Sequence, residues 1–73
     1  MPTRTINRGR HTYRIETIAL NGGLHTFEIV HTERAGNVTR ETHHQPGIAY
    51  ATQEIAMENG LFVANEMAEQ VKD

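Results

Sequence analysis

Histidines and carboxylates are the side chains best able to do chemistry in this 73-residue chain, which contains no cysteine and no serine. Without cysteine there is no disulfide, no thiolate nucleophile and no thiolate metal site. None of the five histidines follows the spacing of a zinc motif such as His-Glu-x-x-His. We expect no bound metal, with adventitious nickel or zinc binding at His43-His44 as the alternative. The histidines are interpreted as surface or sheet-margin residues: His11, His25, His31, His43 and His44.

The sharpest candidate site is a row of Glu16, Glu28 and His43 on one face of a predicted sheet. A three-residue loop at 21–23 opposes the two glutamates, and a four-residue loop at 34–37 would oppose Glu28 and His43. Two carboxylates and one histidine are the ligands of a facial iron triad, and a close carboxylate pair has a raised pKa. Enzymes place such groups in a concave pocket, which one open sheet face does not offer. We therefore expect a solvated face, no catalytic residue and no cofactor.

Three strands are predicted from alternating and β-branched residues. Residues 11–20 and 24–31 flank the turn signal Asn21-Gly22-Gly23. A three-residue loop pairs Ile15 with Ile29 and places apolar residues on one face, whereas a two-residue loop would oppose apolar side chains to carboxylates. Residues 38–44 are β-branched but polar, which is typical of an edge strand whose charges discourage edge-to-edge pairing.

One C-terminal helix follows Pro46-Gly47, with Thr52 as the predicted N-cap. Gly60 lies on the predicted buried face, which indicates a close approach of the helix to the sheet. A break after Asn59-Gly60 into two short helices is the alternative. On a helical wheel, the apolar face consists of Ala56, Gly60, Val63, Ala64, Met67 and Val71.

These elements predict an α+β fold, a three-stranded antiparallel sheet of order 1-2-3 packed against one C-terminal α-helix. Residues 1–10 show no periodicity and carry three arginines, so they are predicted to form a loose basic arm. Residues 11–73 are then a single β-β-β-α domain, consistent with the short chain length.

The chain resembles a group of small bacterial hypothetical proteins with a β-β-β-α layout. The resemblance covers residues 11–73. It rests on Tyr-Arg-Ile at 13–15, the Pro46-Gly47 break, and the cap Tyr50-Ala51-Thr52 followed by Glu54 and small residues about four apart. That group has no established catalytic residue, so the resemblance implies the layout and no function. Residues 67–73 extend the helix beyond the usual end of that group.

The uneven distribution of charge suggests nucleic-acid binding as one function. The net charge is −2, yet six of the seven cationic side chains are arginines in the first 44 residues. Arginines of a basic arm and a sheet face would contact phosphates. The acidic overall charge is unusual for a dedicated nucleic-acid binder, so this is the runner-up. The candidate residues are Arg4, Arg8, Arg10, Arg14 and Arg40.

Surplus apolar residues favour a different function, a non-enzymatic protein–protein interaction module that forms a homodimer or binds another protein. Several apolar side chains fall outside the predicted core, where they would mark an interface. A β-bulge that turns some of them inward is the alternative. By analogy, small acidic domains of this kind include phage-type inhibitors of bacterial systems. The interface candidates are Ile18, Leu20, Leu24, Ile55 and Phe62.

The expected location is the cytoplasm, and the expected origin is bacterial or phage. A secreted domain of this size usually needs disulfides, which this chain cannot form. No apolar run reaches the roughly 20 residues of a membrane-spanning helix, so no membrane association is expected.

Overall fold

A four-stranded antiparallel sheet with one helix on one face is formed by residues 3–71, the part of the chain that the computed structural model describes. The sheet order follows the chain, β1-β2-β3-β4. The α+β class and the single C-terminal helix on an antiparallel sheet are confirmed, but the prediction of three strands is wrong. The elements are β1 (Thr3–Arg8), β2 (His11–Ala19), β3 (His25–Ala35), β4 (Val38–His44) and α1 (Gln53–Glu69).

The additional strand is β1, in the segment predicted to be a loose arm. It pairs along its whole length with β2, from Thr3 opposite Glu16 to Arg8 opposite His11. Gly9 has a φ of +57°, which suits a two-residue hairpin turn between the strands. Ile6 is the only apolar residue of β1 and packs against the core. Residues 1 and 2, the start of the predicted arm, lie outside the described part of the chain.

The predicted register of the two central strands is confirmed. Ile15 lies opposite Ile29 and Thr17 lies opposite Phe27. The three-residue loop closes with a hydrogen bond from the Leu20 N–H to the Leu24 carbonyl oxygen, at 2.7 Å. This register places the largest buried side chains of both strands on the same face, beneath the helix.

The polar edge strand at 38–44 is also confirmed, but its turn is shorter than predicted. Ala35 pairs with Val38, which leaves a two-residue turn at Gly36-Asn37. Gly36 has a φ of +63°, and glycine adopts this conformation without a steric penalty. The register therefore differs from the four-residue-loop expectation, and Val30 rather than Glu28 lies opposite His43.

Helix α1 is continuous through Gly60, so the alternative of two short helices is not adopted. Thr52 is the N-cap as predicted, because its hydroxyl oxygen accepts a hydrogen bond from the Ile55 N–H at 3.1 Å. The buried face is rotated from the predicted one. Val63 is exposed, and Met67 and Val71 are half-buried. The buried residues of the helix are Ala56, Met57, Gly60, Ala64 and Ala68.

Gly60 is the point of closest approach between helix and sheet, as the sequence predicts. A Cβ atom at this position would lie 2.6 Å from Ile15 Cγ2 and 3.1 Å from Phe27 Cγ. Both neighbours are buried in the core and have no solvent-filled space to move into. Ala56 and Ala64, one turn before and one turn after Gly60, are also buried, so small residues line the helix where it faces the sheet. The helix backbone therefore lies directly on the side chains of β2 and β3.

We predict that Gly60→Ala destabilises the protein despite the higher helix propensity of alanine. The propensity gain is about 1 kcal/mol, whereas overpacking a filled core costs about 1–3 kcal/mol. The β-branched Ile15 side chain has few rotamers with which to retreat. Urea unfolding of parent and variant measures the difference.

Two further variants separate these two contributions. Asn65→Ala, at an exposed position of the same helix, reports a gain in helix propensity without a steric clash. This gain is smaller than that of Gly→Ala, because asparagine is a better helix former than glycine. In an Ile15→Ala background the 2.6 Å contact is removed and only the contacts with Phe27 remain, so Gly60→Ala is expected to destabilise less than in the otherwise unchanged protein. A stabilising Gly60→Ala in the otherwise unchanged protein would contradict the close packing.

Candidate functional site

The sheet face opposite α1, here called the outer face, carries the predicted glutamate–histidine row. No described element packs on this face, because α1 packs against the other side of β1, β2 and β3. Alternation places Arg14, Glu16 and Ile18 of β2 on the outer face, because Tyr13, Ile15 and Thr17 face the helix. The outer face is therefore the surface on which a partner or ligand meets the sheet without moving the helix.

A hydrogen-bonded network centred on His43 joins β3 to β4 on the outer face. The His43 ring contacts the Glu41 carboxylate through Nε2 at 2.9 Å and the Glu28 carboxylate through Nδ1 at 3.2 Å. The Gln45 amide donates to the same Glu28 oxygen at 3.0 Å. The contact between Glu28 and His43 is diagonal, because His43 lies opposite Val30.

The predicted three-residue row is only partly assembled. Glu16 lies opposite Glu28 in the ladder, but its carboxylate is bound by Arg14 at 3.0 Å. The second carboxylate at His43 comes instead from Glu41 on the same strand. Among the described residues, no three His, Asp or Glu side chains lie close enough together to hold a metal ion. The network therefore acts as a surface ion-pair cluster.

The pKa values of the network shift in the directions that favour charge. The hydrogen bonds to Glu41 and then Glu28 raise the pKa of His43 above its ordinary value. The hydrogen bonds from Gln45 and then His43 lower the pKa of Glu28. Both shifts stabilise a histidinium held between carboxylates.

The other histidines lie on the helix side of the sheet or at its edge. His11 Nδ1 and His31 Nε2 are 2.9 Å apart, and the His31 ring stacks on Tyr13 with 4.5 Å between ring centroids. Burial, and then the charge of His11, lowers the pKa of His31. His25 pairs through its backbone with Tyr50 in the loop that precedes α1. These histidines serve packing at the margins of the core.

The predicted interface residues occupy two separate surfaces. Leu20 and Leu24 are exposed at the loop end of the outer face, and Ile18 beside them is half-buried. Ile55 and Phe62 are exposed on α1, with Phe62 at 65% of its full accessibility.

Two further apolar residues lie in or near the sheet, Val30 on the outer face and Ile48 in the segment that follows β4. Val30 is only 3% exposed, because it sits between its cross-strand neighbours Arg14 and His43. Ile48, which sequence reasoning missed, is exposed near the loop end of the sheet. Its carbonyl oxygen accepts a hydrogen bond from the Thr26 hydroxyl at 2.8 Å, and Thr26 lies opposite Ile18. This non-local contact has no local sequence signal. We call Ile18, Leu20 and Leu24 the outer-face patch.

The predicted nucleic-acid residues are not brought together on one surface. Arg14 lies on the outer face in its ion pair with Glu16. Arg4 lies on the helix side of β1, where it lines a groove beside α1 together with Glu54 and Glu58. The remaining three arginines, Arg8, Arg10 and Arg40, lie at the end of the sheet opposite the Asn21–Gly23 loop.

A cluster at this end includes one arginine outside the five named candidates, Arg34. Its backbone N–H donates to the Arg10 carbonyl oxygen at 3.0 Å and links β3 to the β1–β2 turn. We call Arg8, Arg10, Arg34 and Arg40 the basic end. Its assembly depends on the pairing of β1 with β2 and on the bond between Arg34 and the β1–β2 turn, neither of which has a local sequence signal.

Comparisons with known proteins do not assign the chain to a family. No protein-family model, no curated protein and no solved structure matches it. No helix within residues 3–71 has the length and apolar character needed to cross a membrane. The function must therefore be argued from the surfaces described above.

We predict that the His43 ring titrates above its ordinary pKa, and that Glu41→Gln lowers this pKa more than Glu28→Gln does. The reason is that the Glu41 hydrogen bond is the largest cause of the shift. An NMR titration of the His43 ring in the parent and in each variant measures these pKa values. Glu54→Gln, which removes a carboxylate from the first turn of α1, is the control. An identical His43 titration in the parent and Glu41→Gln would contradict the network.

The same shifts define a pH window for stability. A histidine with a raised folded pKa stabilises the fold below its unfolded pKa, about 6.5, and loses this contribution as pH rises through the folded value. The lowered pKa of Glu28 stabilises the fold above its unfolded pKa, about 4.3, and this contribution is lost as pH falls through the folded value. The network therefore stabilises the fold most between a pH of about 4.3 and about 6.5. We predict that the difference in urea midpoint between the parent and His43→Gln shrinks from pH 6 to pH 9.

Proposed function

We propose that the protein is a non-enzymatic protein–protein interaction module that self-associates weakly through the outer-face patch. The observation that carries this proposal is a group of apolar side chains on a sheet face without a covering layer among the described elements. Exposed apolar groups rimmed by polar residues are typical of interaction sites.

The local structure holds the patch in place. Leu20 and Leu24 flank the closed three-residue loop, and the bond between Thr26 and Ile48 fixes the following segment beside them. The antiparallel bridge between His25 and Tyr50 adds a second attachment. A partner would therefore meet a largely ordered surface and lose little conformational entropy there.

A second copy is the partner that best fits this patch. A two-fold contact places the same apolar residues on both sides, so each residue contributes twice. Full overlap of two outer faces would bring the carboxylates of Glu16 and Glu28 close to the same carboxylates of the second copy, and these like charges would repel each other. The contact is therefore confined to the loop end of the sheet.

The small size of this contact predicts a weak dimer. Leu20 and Leu24 are already more than half covered, at 41% and 42% exposure. Their complete burial gains only part of the roughly 1.5–3 kcal/mol available to a fully exposed side chain. Association also costs at least about 4 kcal/mol of translational and rotational freedom. We expect a dissociation constant between micromolar and millimolar values.

Sedimentation velocity across about 10 μM to about 1 mM protein tests this proposal. We predict that the apparent mass rises with concentration from the chain mass of 8.2 kDa towards twice that value. Leu24→Glu should abolish the rise, because it places a charge at the centre of the patch.

Phe62→Glu is the matched control, because it introduces the same charge at an exposed apolar residue of α1. This variant should self-associate like the parent. Circular dichroism establishes that both variants remain folded. A parent mass that stays at 8.2 kDa up to the highest concentration would refute self-association. Loss of the dimer in Phe62→Glu alone would place the interface on the helix and contradict the assignment to the sheet.

A further inference from the structure

We propose that the basic end binds the phosphate groups of a nucleic-acid strand, in a depression between the β1–β2 turn and the β3–β4 hairpin. This inference is independent of self-association, because the outer-face patch lies at the opposite end of the sheet. The depression has a volume of about 400 Å³. Its lining residues are Gly9, Arg10, Thr12, Thr32, Arg34 and Thr39.

The backbone builds this depression from three strands and one turn. Thr12 and Thr32 are directly opposed on β2 and β3, and Arg34 lies opposite Thr39 on β4. The hydrogen bond from the Arg34 N–H to the Arg10 carbonyl oxygen holds the β1–β2 turn against β3. The lining groups are therefore fixed by ladder pairing.

The lining chemistry suits an oxyanion. The hydroxyls of Thr32 and Thr39 can donate hydrogen bonds to phosphate oxygens, and an arginine guanidinium offers a planar fork of donors. The Thr12 hydroxyl already donates to the Asn7 side-chain oxygen at 3.1 Å. None of the lining residues is a carboxylate. Within residues 3–71, no carboxylate lies at ion-pair distance from the Arg34 guanidinium, so its charge is not neutralised locally.

The neighbouring carboxylates weaken phosphate binding but do not block the depression. Glu41 lies opposite Thr32, but its carboxylate binds the His43 ring at 2.9 Å. Glu33 lies opposite Arg40, and alternation puts both on the helix side of the sheet, away from the depression. Arg34 therefore keeps a positive charge on the outer side of this end, although the whole chain has a net charge of −2.

A nucleic-acid strand fits this arrangement better than an isolated phosphate ion. Arg8 and Arg40 lie in the row next to the depression but on the helix side of the sheet, so the arginines are spread over the end of the sheet rather than around one enclosed point. A strand that crosses this end can reach both sides, which a single phosphate ion cannot. A chain of phosphates can contact the depression and one further arginine simultaneously. Two such contacts predict a log–log slope of affinity against salt of about −1.8 on duplex DNA.

Fluorescence anisotropy with a labelled mixed-sequence 20-base-pair duplex tests this inference. Between about 50 and 200 mM salt, a slope of about −1.8 corresponds to a loss of about 12-fold in affinity. Arg34→Gln should weaken binding at low salt and halve the slope to about −0.9. Arg14→Gln is the matched control, because Arg14 lies on the same face but is paired with Glu16 at 3.0 Å.

Leu24→Glu distinguishes this site from the self-association surface, because it should abolish the dimer and leave duplex binding unchanged. Absence of binding to the duplex at about 50 mM salt would overturn the inference, because phosphate contacts are strongest at low salt. Equal losses of duplex affinity in Arg14→Gln and Arg34→Gln would also overturn it, because they would show that the duplex is attracted by the overall charge rather than by this site. Binding of inorganic pyrophosphate without binding of the duplex would contradict the assignment to nucleic acid.

Discussion

The contact of Gly60 with Ile15 and Phe27 is the constraint on which the rest of the structure depends. A helix side chain at this position would separate α1 from the sheet, since a Cβ atom would meet Ile15 at 2.6 Å. Small residues at Ala56 and Ala64 extend the contact along the helix. The large side chains are supplied by the sheet instead, where Tyr13 and Phe27 are almost completely buried. A chain of this length has little other apolar volume from which to build a core.

This close packing also determines what remains available for binding. Because α1 packs closely on β1, β2 and β3, this single helix covers one face of the sheet. The outer face has no covering layer among the described elements. The polar centre of the outer face is filled by the Arg14–Glu16 pair and the His43 network. The two ends of the sheet differ, one with the outer-face patch and the other with the depression and the arginines of the basic end. The proposed interactions with protein and with nucleic acid therefore occupy separate ends of one sheet.

Local patterns predicted the elements that have strong local signals. The glycine-rich loop and the apolar alternation were sufficient for the register of Ile15 with Ile29, and Thr52 was recognisable as a cap. The strand β1 was missed because it contains one apolar residue, Ile6, and is stabilised mainly by pairing with β2. The turn at Gly36-Asn37 was predicted too long, and this displaced the expected partner of His43 by two residues.

The rotation of α1 shows why packing was harder to predict than secondary structure. A helical wheel treats Val63 and Met67 as equally apolar to Met57. The large side chains of the sheet leave room only for alanine and glycine along the middle of the helix–sheet contact. Met57 and Ala68 are buried beside this contact, whereas Val63 is exposed. This depends on which sheet residues lie beneath each turn of the helix, a non-local property. The basic end and Ile48 were missed for the same reason.

Nuclear Overhauser effects from the Gly60 α-protons test the central claim most directly, because they report the helix–sheet distance without any substitution. The structure predicts strong effects to the Ile15 Cγ2 methyl protons and to the Phe27 ring protons. Effects from the methyl groups of the exposed Val63 to either residue should be weaker. Strong effects between Val63 and Phe27, with none from Gly60 to Ile15, would show that the helix packs through the face expected from the wheel. That result would contradict the close contact on which this account rests.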